Sequence, residues 1–175
     1  KSFQRLQEMA RAGTLPPGIL EIEAFADSDD AKLALNIAFE RFSKPAKDID
    51  YDFRNALPEL ESLLLLDQSK ERFELTGPGY LIHKVDGFEF RVSHLSFFQV
   101  NRYLIPELLR AVIGETKGEY ALDLYAGVGF FTLPLAKRFK QVVSVDANLS
   151  AMRDLRVNAE NAGIPLVSHH AHTEE

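Results

Sequence analysis

The sequence predicts an α/β chain: a short Rossmann-like parallel sheet with crossover helices in its second half, preceded by a small α+β module of hairpins and helices. Three observations lead there. Glu119 to Asp146 reads as strand, glycine turn, helix and strand. A helical stripe precedes that unit, and a further helix and apolar run follow it, the alternation that parallel sheets require. Before about residue 92 the pattern changes to alternating runs joined by turn residues, the signature of hairpins.

Taken in order, Lys1 to Gly13 predicts a helix with Phe3, Leu6, Met9 and Ala10 on one face, followed by a linker through Pro16 and Pro17. Ile19–Ala26 and Lys32–Phe39 predict two strands of an antiparallel hairpin, turning at Asp27 to Asp30. Ser43 to Asp52 reads as polar connection, and Asn55 to Leu66 as a short leucine-rich helix. Tyr80–Val85 and Phe88–Val92 flank Asp86-Gly87, a type I′ turn signal. This first module covers residues 1–92, and the sheet domain covers 93–175.

From Ser93 an aromatic loop runs into a helix from about Asn101 to Ile113, with Leu104, Ile105, Leu108, Leu109, Val112 and Ile113 as its apolar stripe. Tyr120–Tyr125 predicts a strand buried on both faces, Phe130–Phe139 a helix interrupted by Pro134, and Val142–Asp146 a second buried strand. Leu149–Ala162 predicts a helix and Leu166–His170 a third strand. Three strands make a truncated sheet, as expected of a fragment, with an open edge at which copies of the chain could associate.

Composition narrows the chemistry. With 46% hydrophobic residues in 175, the chain can bury a core. It has no cysteine, hence no disulfide, thiolate metal site or cysteine nucleophile of its own. A net charge of −6 argues against a generic polyanion-binding surface, though not against a local groove. No apolar run could span a bilayer and the start is no signal peptide, so a cytoplasmic location without a membrane partner is expected.

The candidate site lies in the glycine unit. Gly127 and Gly129 allow a sharp turn and close approach of a ligand, and Asp146 ends the next strand where an acid accepts hydrogen bonds from ribose hydroxyls. A pyrophosphate site calls for a third glycine, but Thr132 holds that place. Asp123, just before the turn, would repel a pyrophosphate yet suits a ligand carrying an amino group and a sulfonium. The pattern favours S-adenosylmethionine over NAD, with an ordinary tight corner as the plain alternative.

Four stretches, in this order, carry a resemblance: Ser96-Phe97-Phe98-Gln99-Val100-Asn101, Leu122-Asp123-Leu124-Tyr125-Ala126-Gly127-Val128-Gly129, Val143-Ser144-Val145-Asp146, and Asn158-Ala159-Glu160-Asn161-Ala162-Gly163. Together they resemble the RNA uracil-5-methyltransferases, class I S-adenosylmethionine-dependent enzymes that methylate C5 of uridine in ribosomal or transfer RNA. The FFQVN element is the specific one, and the resemblance is strong from about Phe90 onward.

The resemblance implies that Gln99 and Tyr125 contact the methyl donor, that Asp146 binds its ribose, and that Asp123, Gly127 and Gly129 complete the pocket. Thr173 lies where some relatives touch the cofactor, Phe97 reads equally as a wall beside the flipped base or as core, and core is favoured for Phe98. Aspartate at 146 replaces the family's usual glutamate, and Ala126 stands where many members have cysteine. The family's thiolate nucleophile and carboxylate base belong downstream of these stretches, so no catalytic residue is expected in this chain, which should be inactive alone. RNA is the implied partner. A class I methyltransferase for a non-RNA substrate and a non-catalytic nucleotide-binding module remain alternatives.

Other features have plainer readings. His169, His170 and His172 lack a supporting acid or cysteine at a ligand spacing, so no metal is expected. Lys84 and Arg102 read as solvated charges rather than phosphate contacts, and Asn158 and Asn161 as capping or exposed residues of their helix.

Overall fold

A computed structural model describes residues 2–99, 101 and 103–172. The chain divides into two compact units, 1–81 and 82–175.

The first unit is a sheet with helices that contribute to one core. Helix α1 (Ser2–Ala12) leads to the antiparallel pair β1 (Ile19–Ala26) and β2 (Leu33–Phe39). Helix α2 (Ala46–Ala56) crosses over to β3 (Leu60–Asp67), which lies parallel to β2, and β4 (Arg72–Thr76) closes the order β1-β2-β3-β4. Leu6 of α1 and Ile49 and Phe53 of α2 are buried together with Leu35, Ile37, Phe39, Leu63 and Leu65.

Two sequence expectations fail in this unit. Residues 60–67 form a strand, not a helix. Between β2 and β4 this strand buries Leu63, Leu64 and Leu65 in succession, so the leucine run reflects a central strand covered on both faces. The helix lies earlier, in the stretch expected to be polar connection. There Ile49 and Phe53, four residues apart, supply its buried stripe, and Pro58 follows its end.

Strands β5 (Tyr80–Val85) and β6 (Phe88–Ser93) form the expected hairpin. Asp86 and Gly87 both have positive φ, 50° and 78°, as a type I′ turn demands. The two units divide within β5, after Leu81, and β6 is bound to a helix of the second unit, as described below.

In the second unit, α3 (Ile105–Ile113) precedes β7 (Gly118–Leu124), α4 (Thr132–Ala136), β8 (Phe139–Asp146), α5 (Leu149–Asn161) and β9 (Val167–His170). The three strands are parallel in the order β7-β8-β9, with Leu124 opposite Val145 and Asp146 opposite His170. Helix α4 is one short turn, and Phe139 belongs to β8 instead of to the helix. Strand β7 is not buried on both faces. Ala121 and Asp123 face inward, whereas Tyr120, Leu122 and Leu124 are exposed. Phe90, Phe98 and Phe130 form an aromatic cluster with ring centroids 5.7–6.0 Å apart, which makes Phe98 a core residue.

Candidate functional site

The site is built where β7 and β8 end side by side. Strand β7 runs into Tyr125, whose φ is 60°, a conformation that costs a bulky side chain energy. Its ring is 74% exposed, beside the turn. Gly127 and Gly129 follow with φ of 55° and 94°. The two glycines serve different ends. A Cβ on Gly127 would meet nothing within 4 Å, so its backbone faces open space. A Cβ on Gly129 would lie 2.4 Å from Leu155 and 2.8 Å from Leu133, so Gly129 is there for helix packing.

Asp146 closes the turn from below. One carboxylate oxygen accepts the Gly127 amide at 2.8 Å and the other accepts the Asn148 amide at 2.7 Å. Each oxygen keeps a second lone pair, so the half-buried carboxylate can still accept from a ligand hydroxyl.

Asp123 is placed differently. Its carboxylate is buried beneath the turn and accepts the Thr132 hydroxyl at 2.5 Å, while Thr132 also lies 3.1 Å from the Ser144 hydroxyl. Burial pushes this carboxyl above the usual carboxylate range. The Thr132 bond opposes that shift, and the neighbouring Asp146 charge adds to it.

Gln99 is half-buried directly after Phe98. The Phe98 ring packs edge-on against Phe130, which follows Gly129. Phe97 turns the other way and is 73% exposed. Thr173 lies outside the described residues, as do Val100 and Arg102. His169 and His170 are exposed at the end of β9, and a His170 ring nitrogen bonds the Ala147 carbonyl at 3.0 Å. Among the described residues no group of three or more His, Cys, Asp or Glu could hold a metal ion, and no helix is long and apolar enough to cross a membrane.

Sequence reasoning missed Asp154 and Asn158. Both are buried on α5, and Asn158 reaches the glycine turn itself, donating to the Val128 carbonyl at 2.9 Å. Their signal was present: Ser150, Asp154 and Asn158 recur every four residues, one face of a helix.

No family model matches the chain. Over 121 residues it is 31% identical to an uncharacterized RNA methyltransferase of Chlorobaculum tepidum, covering 62% of this chain and 25% of that protein. It is 36% identical over 86 residues to the 23S rRNA (uracil(747)-C(5))-methyltransferase of Pyrococcus abyssi, covering 49% of this chain and 21% of the relative. A tRNA (uracil(54)-C(5))-methyltransferase of Pyrococcus furiosus is 36% identical over 84 residues, 48% of this chain and 20% of the relative. The chain therefore spans about a fifth to a quarter of these relatives.

In fold, it matches the Pyrococcus abyssi tRNA (uracil-54, C5)-methyltransferase, solved with S-adenosyl-L-homocysteine, with a TM-score of 0.78 at 22% identity. That match covers 99% of this chain and 46% of that one. The M. jannaschii tRNA m1G37 methyltransferase gives 0.56 at 18% identity, covering 96% of this chain and 53% of that one. These likenesses give the second unit a Rossmann-like fold. In sequence over about half of its residues, and in fold over nearly all of them, the chain is similar to RNA uracil-C5 methyltransferases, the family its FFQVN and glycine-turn stretches resemble.

Proposed function

We propose that this chain is the donor-binding part of an RNA methyltransferase that takes a methyl group from S-adenosylmethionine and places it on C5 of a uridine in ribosomal or transfer RNA. One observation carries the reading. Asp146, at the end of β8, holds the Gly127 amide, and that glycine's backbone opens onto free space. The residues present fit the donor: an acid with spare lone pairs for ribose hydroxyls and an approachable backbone. When bound, the donor supplies an electrophilic methyl group on sulfur.

Asp146 accepts from the ribose, Gly127 allows close approach, and Gly129 seats the turn on α5. Asp123 braces the turn through Thr132. Gln99 and Tyr125 flank the donor, Thr173 is assigned to it by the family resemblance alone, and exposed Phe97 offers a ring on which an unstacked base can lie. Activation of C5 calls for a thiolate, and this chain contains no cysteine, so that step needs a group from outside this sequence. A cytoplasmic location fits an RNA substrate. The unpaired edge of β7, with Tyr120, Leu122 and Leu124 exposed beside it, supports self-association.

Calorimetric titration of S-adenosylhomocysteine into the chain and into Asp146→Ala tests this. The expected result is saturable binding that the substitution weakens about tenfold or more, the worth of a hydrogen bond to a charged group. Unchanged affinity in Asp146→Ala would remove the ribose role. Absence of binding to the parent chain, or preference for NADH, would sink the donor reading.

A further inference from the structure

Helix α5 meets β6 and the loop after it with a polar stripe, where a helix usually presents apolar residues. At its start, the N-cap Asn148 donates its side-chain amide to the Leu95 carbonyl at 3.1 Å. Ser150 stands 3.3 Å from the Ser96 hydroxyl. One turn on, the Asp154 carboxylate gathers the Ser93 amide at 2.7 Å, the Ser93 hydroxyl at 2.8 Å and the Ser96 hydroxyl at 3.3 Å, and pairs with Arg91 at 3.0 Å. One turn further, Asn158 accepts the Arg91 amide at 2.7 Å and donates to the Arg91 carbonyl at 3.1 Å and to Val128 at 2.9 Å.

Asp154 and Asn158 are each 1% exposed. Burying such groups is costly unless their bonds are made, and apolar residues would hold a helix to a strand without that cost. Polar bonds add direction. Each fixes a donor to an acceptor within a few tenths of an ångström, whereas apolar contacts tolerate sliding. The two ends of this network matter most. One is the segment from Arg91 to Ser96 that leads directly into Phe97, Phe98 and Gln99, and the other is the carbonyl between Gly127 and Gly129.

We infer that Asp154 and Asn158 are positioning residues of the donor site: they lock the Gln99-bearing segment and the glycine turn at one spacing by holding both to α5. The inference rests on the donor-binding reading above. Neither side chain touches the donor. Their effect is to remove the relative motion of two loops that must close on one ligand, so that less freedom is lost on binding.

The test compares S-adenosylhomocysteine binding by calorimetry, thermal melting, and amide exchange at Gly129 in the parent chain, Asn158→Leu, Ser93→Ala and Ala159→Gly. Asn158→Leu keeps the branching at Cγ with a somewhat larger side chain and removes all three bonds. Ser93→Ala removes a single hydroxyl contact to Asp154 and should fold normally. Ala159→Gly loosens the same helix without touching the network. The expected result is about tenfold weaker binding for Asn158→Leu and a smaller loss for Ser93→Ala. Gly129 should exchange faster in Asn158→Leu, while Ala159→Gly lowers the melting temperature with affinity unchanged.

Parent-like affinity in a folded Asn158→Leu would overturn the inference, as would equal weakening by Ala159→Gly. Should Asn158→Leu fail to fold, unchanged affinity in Ser93→Ala overturns it. If the parent chain binds no S-adenosylhomocysteine, the donor reading falls with that result alone, and Gly129 exchange still reports whether the network holds the turn.

Discussion

The Thr132 hydroxyl donates to the buried Asp123 carboxylate at 2.5 Å, joining the end of β7 to the start of α4 beneath the glycine turn. Burial disfavours the ionised acid there, and this bond is the contact that offsets it. Thr132→Val, nearly the same shape, should therefore destabilise the second unit by about 1–3 kcal/mol. It should also raise the Asp123 pKa further. Urea unfolding and carboxyl NMR titration read the two effects separately.

The two glycines of the turn should respond to different degrees and in different measurements. Gly129→Ala places a Cβ against Leu155 and Leu133 at positive φ, so about 2 kcal/mol or more of stability should be lost. Gly127→Ala meets open space and should cost only about 1 kcal/mol from its left-handed backbone. Donor affinity should nevertheless fall in Gly127→Ala, because the new methyl group occupies the approach side. Paired melting and calorimetry distinguish a packing glycine from a ligand-side one.

His94 gives a pH dependence with a defined sign. Burial lowers its pKa from the ordinary 6.5 to about 4, so the folded chain keeps it neutral where the unfolded chain takes up a proton. The stability it contributes is complete above pH 6.5 and is lost as pH falls from there toward 4. The carboxylates titrate in the lower part of this window, so the measurement is a difference. Urea midpoints of the parent chain should fall more steeply between pH 7 and 5 than those of His94→Gln.

In the first unit, Arg54 of α2 grips both neighbouring strands. Its guanidinium bonds Asp50 at 2.8 Å, the Leu60 carbonyl at 2.8 Å and the Thr76 hydroxyl at 3.2 Å. Arg54→Met keeps the stem but leaves the half-buried Asp50 without its cation. A loss of about 1–2 kcal/mol is expected, visible as a lower urea midpoint with an unchanged slope.

Much of the second unit was legible because its signals are local. Gly127, Gly129 and the strand-ending Asp146 declare themselves within one βαβ unit, and Asp86-Gly87 names its own turn. The first unit was harder, for reasons visible in Leu63 to Leu66. Leucine favours helices in isolation, and only a parallel neighbour distant in sequence makes a continuous run of it a strand. Helix α2 hid in a polar stretch because two residues, Ile49 and Phe53, carry its buried face. Strand β4 went unread because Phe73 and Leu75 alternate on an exposed face. Asn158 was misread for a different reason: a polar residue on a helix is ordinarily solvated, and its burial depends on β6, far away in sequence.

The parallel pairing of β2 with β3 also constrains the order of assembly. Hairpins β1–β2 and β3–β4 can each form on the microsecond scale, since their strands are neighbours in sequence. Joining them side by side requires α2 to fold back and seat Ile49 and Phe53 first, a closure with no local contact to reward it along the way. We therefore expect stopped-flow refolding of this unit to be slowed more by variants that weaken α2 than by variants in either hairpin.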